Sequence, residues 1–162
     1  MLEAFLKVDG ITSESLAKTH TGEIELQDWR WVGENPATTT GSGLSSGKVQ
    51  VNDLCITKRI DKASPQLLAA CFAGKHIASV SLSVCKSGGK SVPEDFLTIG
   101  LTDAMVTSVA SRPDQVGSDN AEAEDVTFAF SALEFTYKQQ KADGTFATAG
   151  NMKYDVKTRT VS

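Results

Sequence analysis

An alternation of apolar and polar residues with a period of two runs through most of this chain, and it changes phase inside three segments. In the first segment Ile24 and Leu26 set one phase, whereas Trp29 and Trp31 follow the other. The same change occurs in KVQVNDLCITKRI and in VTFAFSALEFTY. A period of two predicts β-strands, and a phase change inside a strand indicates a bulge. The chain is therefore expected to be mainly β, with a strongly coiled antiparallel sheet that closes into a barrel or folds into a two-sheet sandwich.

The size and charge of the chain favour a single domain that binds neither nucleic acid nor a lipid bilayer. Its 162 residues predict one domain over residues 1–162, and a hydrophobic content of 40% is enough for a core. The net charge is -4 and no cluster of Lys and Arg occurs, so a nucleic-acid surface is not indicated. The longest apolar run, Leu67 to Ala73, is too short for a membrane span. The N-terminus MLEAFLKVDG lacks the pattern of a secretory signal, so we expect folding in the cytoplasm.

Residues that usually perform catalysis or bind metals occur in no recognisable arrangement. The cysteines, Cys55, Cys71 and Cys85, include no Cys-x-x-Cys pair, and the histidines are His20 and His76. Zinc sites and disulfide frameworks need other spacings, so we expect free thiols in a reducing compartment. No Gly-x-Ser-x-Gly motif is present, and neither histidine lies near a nucleophile in the sequence. We therefore expect no catalytic residues, no metal and no cofactor.

The stretch ATTTGSGLSSGKVQV contains three glycines and a Gly-Lys pair, which raises the question of phosphate binding. A P-loop requires a glycine where this chain has Ser42, a hydroxyl where it has Val49, and a helix after the lysine. The residues that follow alternate like a strand, so all three requirements fail. We expect a long mobile connection between strands, and a connection of this length is usually retained for a function.

One helix is predicted in DKASPQLLAACFAGKH. Ser64 suits the N-cap, Pro65 the first helical position, and Gly74 the residue after the last turn. The apolar stripe of this helix consists of Leu67, Leu68, Cys71 and Phe72. Alanines fill the other faces, and a helix that is apolar nearly all round should be buried nearly all round.

The burial of this helix has three explanations at the level of sequence. Another subunit covers part of it, nearby loops cover it, or the small alanine face is simply tolerated. If a subunit does so, the residues expected in and around that interface are Asp61, Ser64, Pro65, Ala69, Ala70 and Ala73.

The stretch ASVSLSVCK predicts a strand with two unlike faces. Val80, Leu82 and Val84 form an apolar face. The opposite face consists of Ser79, Ser81, Ser83 and Cys85. A face of small uncharged residues suits a crowded interface or the wall of a channel, although an ordinary exposed strand face remains the simpler interpretation.

Several segments, taken in order, resemble the Hcp family, the hemolysin-coregulated tube proteins of bacterial type VI secretion. FLKVDGITSES and THTGEIELQDWRWV are similar to the N-terminal strands of that family, and GSGLSSGKVQV falls where the family has a glycine-rich extended loop. TKRIDKASPQL and AGKHI resemble its helix region, and EDVTFAFSALEFTYKQQKADG its late strands and turn. The resemblance covers essentially the whole chain. One departure is the C-terminal NMKYDVKTRTVS, which lacks the Gly-Trp pair of many relatives, so the last strand is the least secure part.

The resemblance implies a β-barrel-like domain of two sheets with one flanking helix. It also implies a homohexameric ring, rings stacked into a tube inside a contractile sheath, a VgrG spike at the tip, and small effector proteins held in the lumen. The protein would assemble in the cytoplasm and leave the cell without a signal peptide. On this basis the glycine-rich loop becomes a contact between rings or subunits, and the serine face, Ser79, Ser81 and Ser83, a candidate lumen strand. The expected loop contacts are Thr40, Gly41, Gly43, Leu44, Gly47 and Lys48.

The alternative is a monomeric β-sandwich that binds a small ligand or carbohydrate. It accounts for the strands and for the missing catalytic motifs. It accounts poorly for the apolar helix, and it offers no aromatic binding surface, because Trp29 and Trp31 are expected in the core. A hydrolase is a more distant alternative.

Overall fold

The computed structural model describes residues 2–86, 92–113 and 122–162 of the chain. These residues form twelve strands and one helix. The first seven strands are β1 (Leu2–Val8), β2 (Ile24–Arg30), β3 (Gly33–Glu34), β4 (Thr38–Thr40), β5 (Gly43–Ser45), β6 (Gln50–Val51) and β7 (Leu54–Arg59). After them come α1 (Ser64–Ala73), β8 (Ile77–Lys86), β9 (Glu94–Pro113), β10 (Glu122–Gln140), β11 (Phe146–Asp155) and β12 (Thr160–Val161).

Six of these strands close into an antiparallel barrel. Their order around the barrel is β1, β2, β7, β10, β9, β8 and back to β1. The second half of β10 stays paired with β9, and on its other edge it pairs with β11, which in turn pairs with β12. Two small sheets, β3–β6 and β4–β5, stand apart from the barrel. The expected mainly β, barrel-like fold with one flanking helix is therefore confirmed.

The phase changes in the sequence have different structural causes. In β2 the register against β7 shifts between Leu26 and Asp28, so the expected bulge is confirmed. In β10 the change occurs within one continuous strand, opposite Asp103, which adopts a positive φ of 49°. The prediction for the second segment is wrong, because β6 and β7 are separate strands in different sheets. Two exposed polar residues, Asn52 and Asp53, separate them.

The barrel interior holds the hydrophobic core. Val80, Leu82 and Val84 of β8 are at most 4% exposed, so the expected apolar face of that strand lies inside. Burying one such side chain contributes about 1.5–3 kcal/mol. Other fully buried members are Leu6, Ile24, Leu54, Ile56, Leu67, Ile99, Val126 and Phe128.

The helix α1 ends as expected but begins differently. Gly74 has a φ of 58°, and its N–H donates to the carbonyl of Cys71, as is typical of a helix that ends at glycine. The N-cap position is occupied by Ala63 without a side-chain cap. Ser64 is therefore not the N-cap, because its hydroxyl is buried and bonds to side chains of the barrel instead. The helix packs on β9.

The last strand, β12, is two residues long and pairs with β11 through Tyr154 and Val161.

Within the three described ranges, no helix is both long and apolar enough to cross a membrane.

Candidate functional site

The helix α1 presents an exposed apolar surface to solvent. Phe72 is 81% exposed and Leu68 is 39% exposed. They share this side of the helix with Pro65, Ala69 and Ala73, which are also exposed and follow the spacing of one helical face. We call these five residues the outer helix face. An exposed apolar helix face of this kind is typical of a surface on which another molecule packs.

The inner side of α1 corrects several sequence-based expectations. Leu67 is fully buried and Ala70 is 4% exposed, so both pack into the core. The apolar stripe expected from the sequence is therefore divided, with Leu67 inside and Leu68 and Phe72 outside. Ala70 does not belong to a subunit interface, and an acidic residue there would disrupt the fold itself. The side chains of Asp61 and Ser64 also point into the subunit and not toward a neighbour, because both bond to the side chain of Lys58.

A buried polar network fixes the start of α1 to the barrel wall. The ammonium group of Lys58 is fully buried and lies 2.8 Å from an oxygen of Asp61 and 2.9 Å from Glu124 Oε2. It also donates to Ser64 Oγ at 2.9 Å and to the carbonyl of Arg59 at 2.8 Å. Ser64 Oγ in turn donates to Glu124 Oε2 at 2.7 Å. The network joins β7, β10 and the first turn of the helix, so the outer helix face is held in one orientation.

Lys58 was not singled out from the sequence, although its position contained a clue. Lys58 lies on the same face of β7 as Leu54 and Ile56, because side chains two residues apart point the same way. Leu54 and Ile56 both point into the core. A lysine on the inner phase of a strand must find acceptors inside the protein, because an unpaired buried ammonium is very costly.

The glycine-rich segment forms a protruding arm, which we define as residues 33–51. Its β3–β6 pair forms the base and its β4–β5 hairpin the tip. Leu44 at the tip is 78% exposed, and Gly43 adopts a φ of 124°. The arm connects the barrel strands β2 and β7, and part of it is regular β-structure that the sequence did not predict. The other expected contact residues, Thr40, Gly41 and Lys48, are exposed on the arm as well.

The base of the arm contains a close backbone approach. The Gly47 N–H donates to Asn35 Oδ1 at 3.2 Å. A side chain at position 47 would collide with the carbonyl oxygen of Pro36. Gly47 is thus explained by sterics rather than by a phosphate, and a strand follows Lys48 where a P-loop would need a helix.

The serine face of β8 is only partly accessible. Ser79 is exposed and Ser81 is half-buried, but Ser83 is 8% exposed and Cys85 is 1% exposed. Ser83 pairs with Phe5 of β1, and the imidazole of His20 stacks on that phenyl ring at a centroid distance of 4.4 Å. Ser83 is therefore covered within the subunit and cannot line a channel.

A surface cluster of His76, Asp103 and Ser131 contains residue types found in hydrolases, but its geometry differs. Asp103 accepts from Ser131 Oγ at 2.9 Å and lies 2.8 Å from His76 Nδ1. Both partners bond to the carboxylate, whereas a nucleophile must bond to its base. These bonds, first that of His76 and then that of Ser131, lower the pKa of Asp103. The cluster connects neighbouring strands at the surface.

Comparison with known proteins agrees with this architecture. The family profile described as "Type VI secretion system effector, Hcp" matches residues 5–137. This chain belongs to the Hcp family. Protein hcp1 of Pseudomonas aeruginosa is 36% identical over 154 residues, which cover 94% of this chain and 93% of that protein.

Solved structures give the same assignment. Hcp1 from Salmonella typhimurium is 31% identical, with a TM-score of 0.78 over 99% of both chains. A type six secretion system protein superimposes with a TM-score of 0.89 at 25% identity over the whole of both chains. As an Hcp protein, this chain is a secreted tube subunit of the type VI secretion system that self-assembles into rings. The Hcp family is a family of structural tube proteins.

Proposed function

We propose that this protein forms six-membered rings in which the outer helix face of each subunit packs against the next subunit. The observation behind this proposal is the 81% exposure of Phe72 on a helix face that is otherwise apolar. A closed ring uses two different patches that match each other, and the outer helix face supplies one of them. Burying Phe72 and Leu68 in each contact favours the ring, because burial of apolar surface contributes about 25 cal/mol per Å².

The arm supplies the contact along the tube axis, between one ring and the next. Support for this contact comes from the tip of the arm, which contains regular β-structure and in which Thr40, Gly41, Gly43 and Leu44 are exposed. Among the described residues β4 and β5 pair only with each other, so another strand can pair with an outer edge of this short hairpin. Gly47 lies at the base of the arm, where its N–H donates to Asn35 Oδ1, and Lys48 beside it is exposed.

The stacked rings form the inner tube that is ejected within a contractile sheath and capped by a VgrG spike. The lumen holds small effector proteins, and Ser79 and Ser81 remain the candidate lumen residues. Assembly takes place in the cytoplasm, and export needs no signal peptide. The protein performs no catalysis. Support for these partners comes from membership of the Hcp family.

The proposal is tested by the native mass of the purified protein, measured by light scattering, with negative-stain images of the same peak. We expect six times the subunit mass of 17.2 kDa, together with annular particles. A monomer across a wide concentration range would overturn the ring and favour a ligand-binding β-sandwich.

Removal of the hairpin tests the axial contact separately. We expect a variant that lacks residues 38–45 to fold and to form single rings, because the β3–β6 base and the helix remain. The number of stacked rings in images of concentrated protein should fall strongly against the wild type. Leu44→Asp should produce the same change to a smaller extent, since it adds charge to the tip without shortening the arm. Stacking at the wild-type level by both variants would contradict the assignment of the arm.

A further inference from the structure

His20 lies in a buried polar cluster that the ring and tube do not explain. Its side chain is 5% exposed, with Nδ1 2.8 Å from Glu23 Oε2 and Nε2 2.9 Å from Asp95 Oδ1. Each ring nitrogen is therefore within hydrogen-bond distance of one carboxylate oxygen. The ring is also held from one side by stacking on Phe5, with 10° between the planes. The imidazole therefore has a single fixed orientation.

The thiol of Cys85 completes this cluster. One ligand atom from each of His20, Cys85 and Asp95 lies within 4.8 Å of the other two. Cys85 is 1% exposed, and burial, with smaller contributions from Asp95 and Glu3, raises the pKa of its thiol to about 11. The Sγ–H of Cys85 donates to the carbonyl of Glu3 at 3.6 Å.

We propose that His20 Nε2, Cys85 Sγ and Asp95 Oδ1 form a zinc-binding site. Nitrogen, thiolate sulfur and carboxylate oxygen are the ligands that zinc prefers, at about 2.0–2.3 Å. Modest movement of the three side chains brings the donors to those distances, since their ligand atoms already lie within 4.8 Å of one another. Water or a backbone carbonyl fills the fourth position.

Glu23 has the role that a second carboxylate usually has beside a metal-binding histidine. With zinc on Nε2, Glu23 accepts a hydrogen bond from Nδ1–H. This bond turns Nε2 toward Cys85 and Asp95. Such carboxylate–histidine pairs fix the tautomer and the orientation of the ring. The cluster therefore contains three metal ligands and, in Glu23, the carboxylate that usually orients a metal-binding histidine.

The charge of the cluster is compatible with a divalent cation. Glu23 and Asp95 place two carboxylates beside His20, and zinc releases the proton of the Cys85 thiol as it binds. Deprotonation of the thiol is unfavourable in the free protein, but a coordinated thiol is deprotonated by the metal itself.

The site can be reached from solvent. The side chain of Asp95 is 32% exposed. It also lines a surface cavity of about 290 Å³, together with Thr19, Val92, Pro93, Glu94 and Lys138. A bound ion would join the connection between β1 and β2 to β8 and β9, and would raise the stability of the subunit by mass action.

Cobalt(II) provides a direct test, because a cobalt–thiolate bond has an intense charge-transfer absorption in the near ultraviolet. We expect the full-length wild-type protein, reduced with a phosphine, to develop this band with cobalt chloride. Zinc chloride should then remove the band by displacing cobalt. A folded wild-type protein without such a band would overturn the proposal.

Variants assign the band to its residues. Cys85→Ser and His20→Gln should lose it, whereas Cys71→Ser and His76→Gln, matched changes outside the cluster, should keep it. Glu23→Gln should weaken zinc binding by about 10–100-fold, measured by competition with a chromogenic chelator. If Cys85→Ser does not fold, the Cys55→Ser/Cys71→Ser double variant leaves Cys85 as the only thiol, and the band must remain there. A band that persists in folded Cys85→Ser, or that disappears from the double variant, would contradict the site.

Discussion

Phe72→Glu is expected to convert the assembled protein into folded monomers. The side chain is 81% exposed in the subunit, so the substitution should change the free energy of unfolding by no more than about 0.5 kcal/mol. In the ring the same position would place a carboxylate against apolar surface, and burying an unpaired charge is far more costly than losing the phenyl ring. Truncation of a central aromatic residue alone typically costs about 2–4 kcal/mol per interface.

The measurement is the native mass by light scattering at several concentrations, with circular dichroism to confirm the fold. Phe72→Ala should give an intermediate weakening. Val161→Glu is the matched control, because Val161 is 66% exposed on β12 and lies outside the outer helix face. A Phe72→Glu protein that still has the mass of the wild type would show that the outer helix face is not the ring contact.

Lys58→Met is expected to destabilise the subunit by about 3–5 kcal/mol, as is typical when one partner of a buried ion pair is removed. Methionine has a similar length but leaves Glu124, which is 4% exposed, without the ammonium that neutralises it. Asp61 loses the same partner, and the hydroxyl of Ser64 loses a donor. Because the network joins the first turn of α1 to the barrel, the helix should become the first part of the fold to open.

Chemical denaturation at a fixed protein concentration measures this effect, preferably in the Phe72→Glu background, where subunit unfolding is not coupled to ring dissociation. Lys153→Met is the matched control. Its ammonium is 3.9 Å from Glu134 Oε1, and the two side chains are 60% and 47% exposed, so we expect a change below about 1 kcal/mol. Adding Glu124→Gln to Lys58→Met should recover part of the loss. A loss below about 1 kcal/mol for Lys58→Met would mean that the network does not stabilise the fold.

The elements of this protein were largely predictable from local patterns. Alternation identified the strands of the barrel, and the change of phase after Leu26 identified a real bulge. Gly74 marked the end of the helix correctly because only a residue that tolerates positive φ ends a helix in this way. The start of the helix was predicted wrongly. The hydroxyl of Ser64 bonds to Lys58 and Glu124 of the barrel, and the pattern of residues around the helix does not reveal these partners.

The candidate sites were less predictable because their partners are distant in the sequence. The arm was identified from its glycines, but its pairing into two short ladders was not. Pro65, Ala69 and Ala73 are exposed on the outer helix face, whereas Ala70, which the sequence analysis grouped with them, is buried in the core. Periodicity cannot orient a helix that is apolar on every side, so only its packing against β9 separates Leu67 from Leu68 and Phe72.

The sequence by itself therefore determined the strand pattern, the helix and its end, and the membership of the Hcp family, because these depend on residues that are close together along the chain. Only the tertiary structure decided which side of the helix is exposed, that Lys58 is buried with Glu124, and that His20 meets Cys85 and Asp95. Closing the barrel brings β7 beside β10 and β1 beside β8. These contacts join segments that are far apart in the chain, and their free energy depends on burial and charge pairing that exist only once the strands have closed.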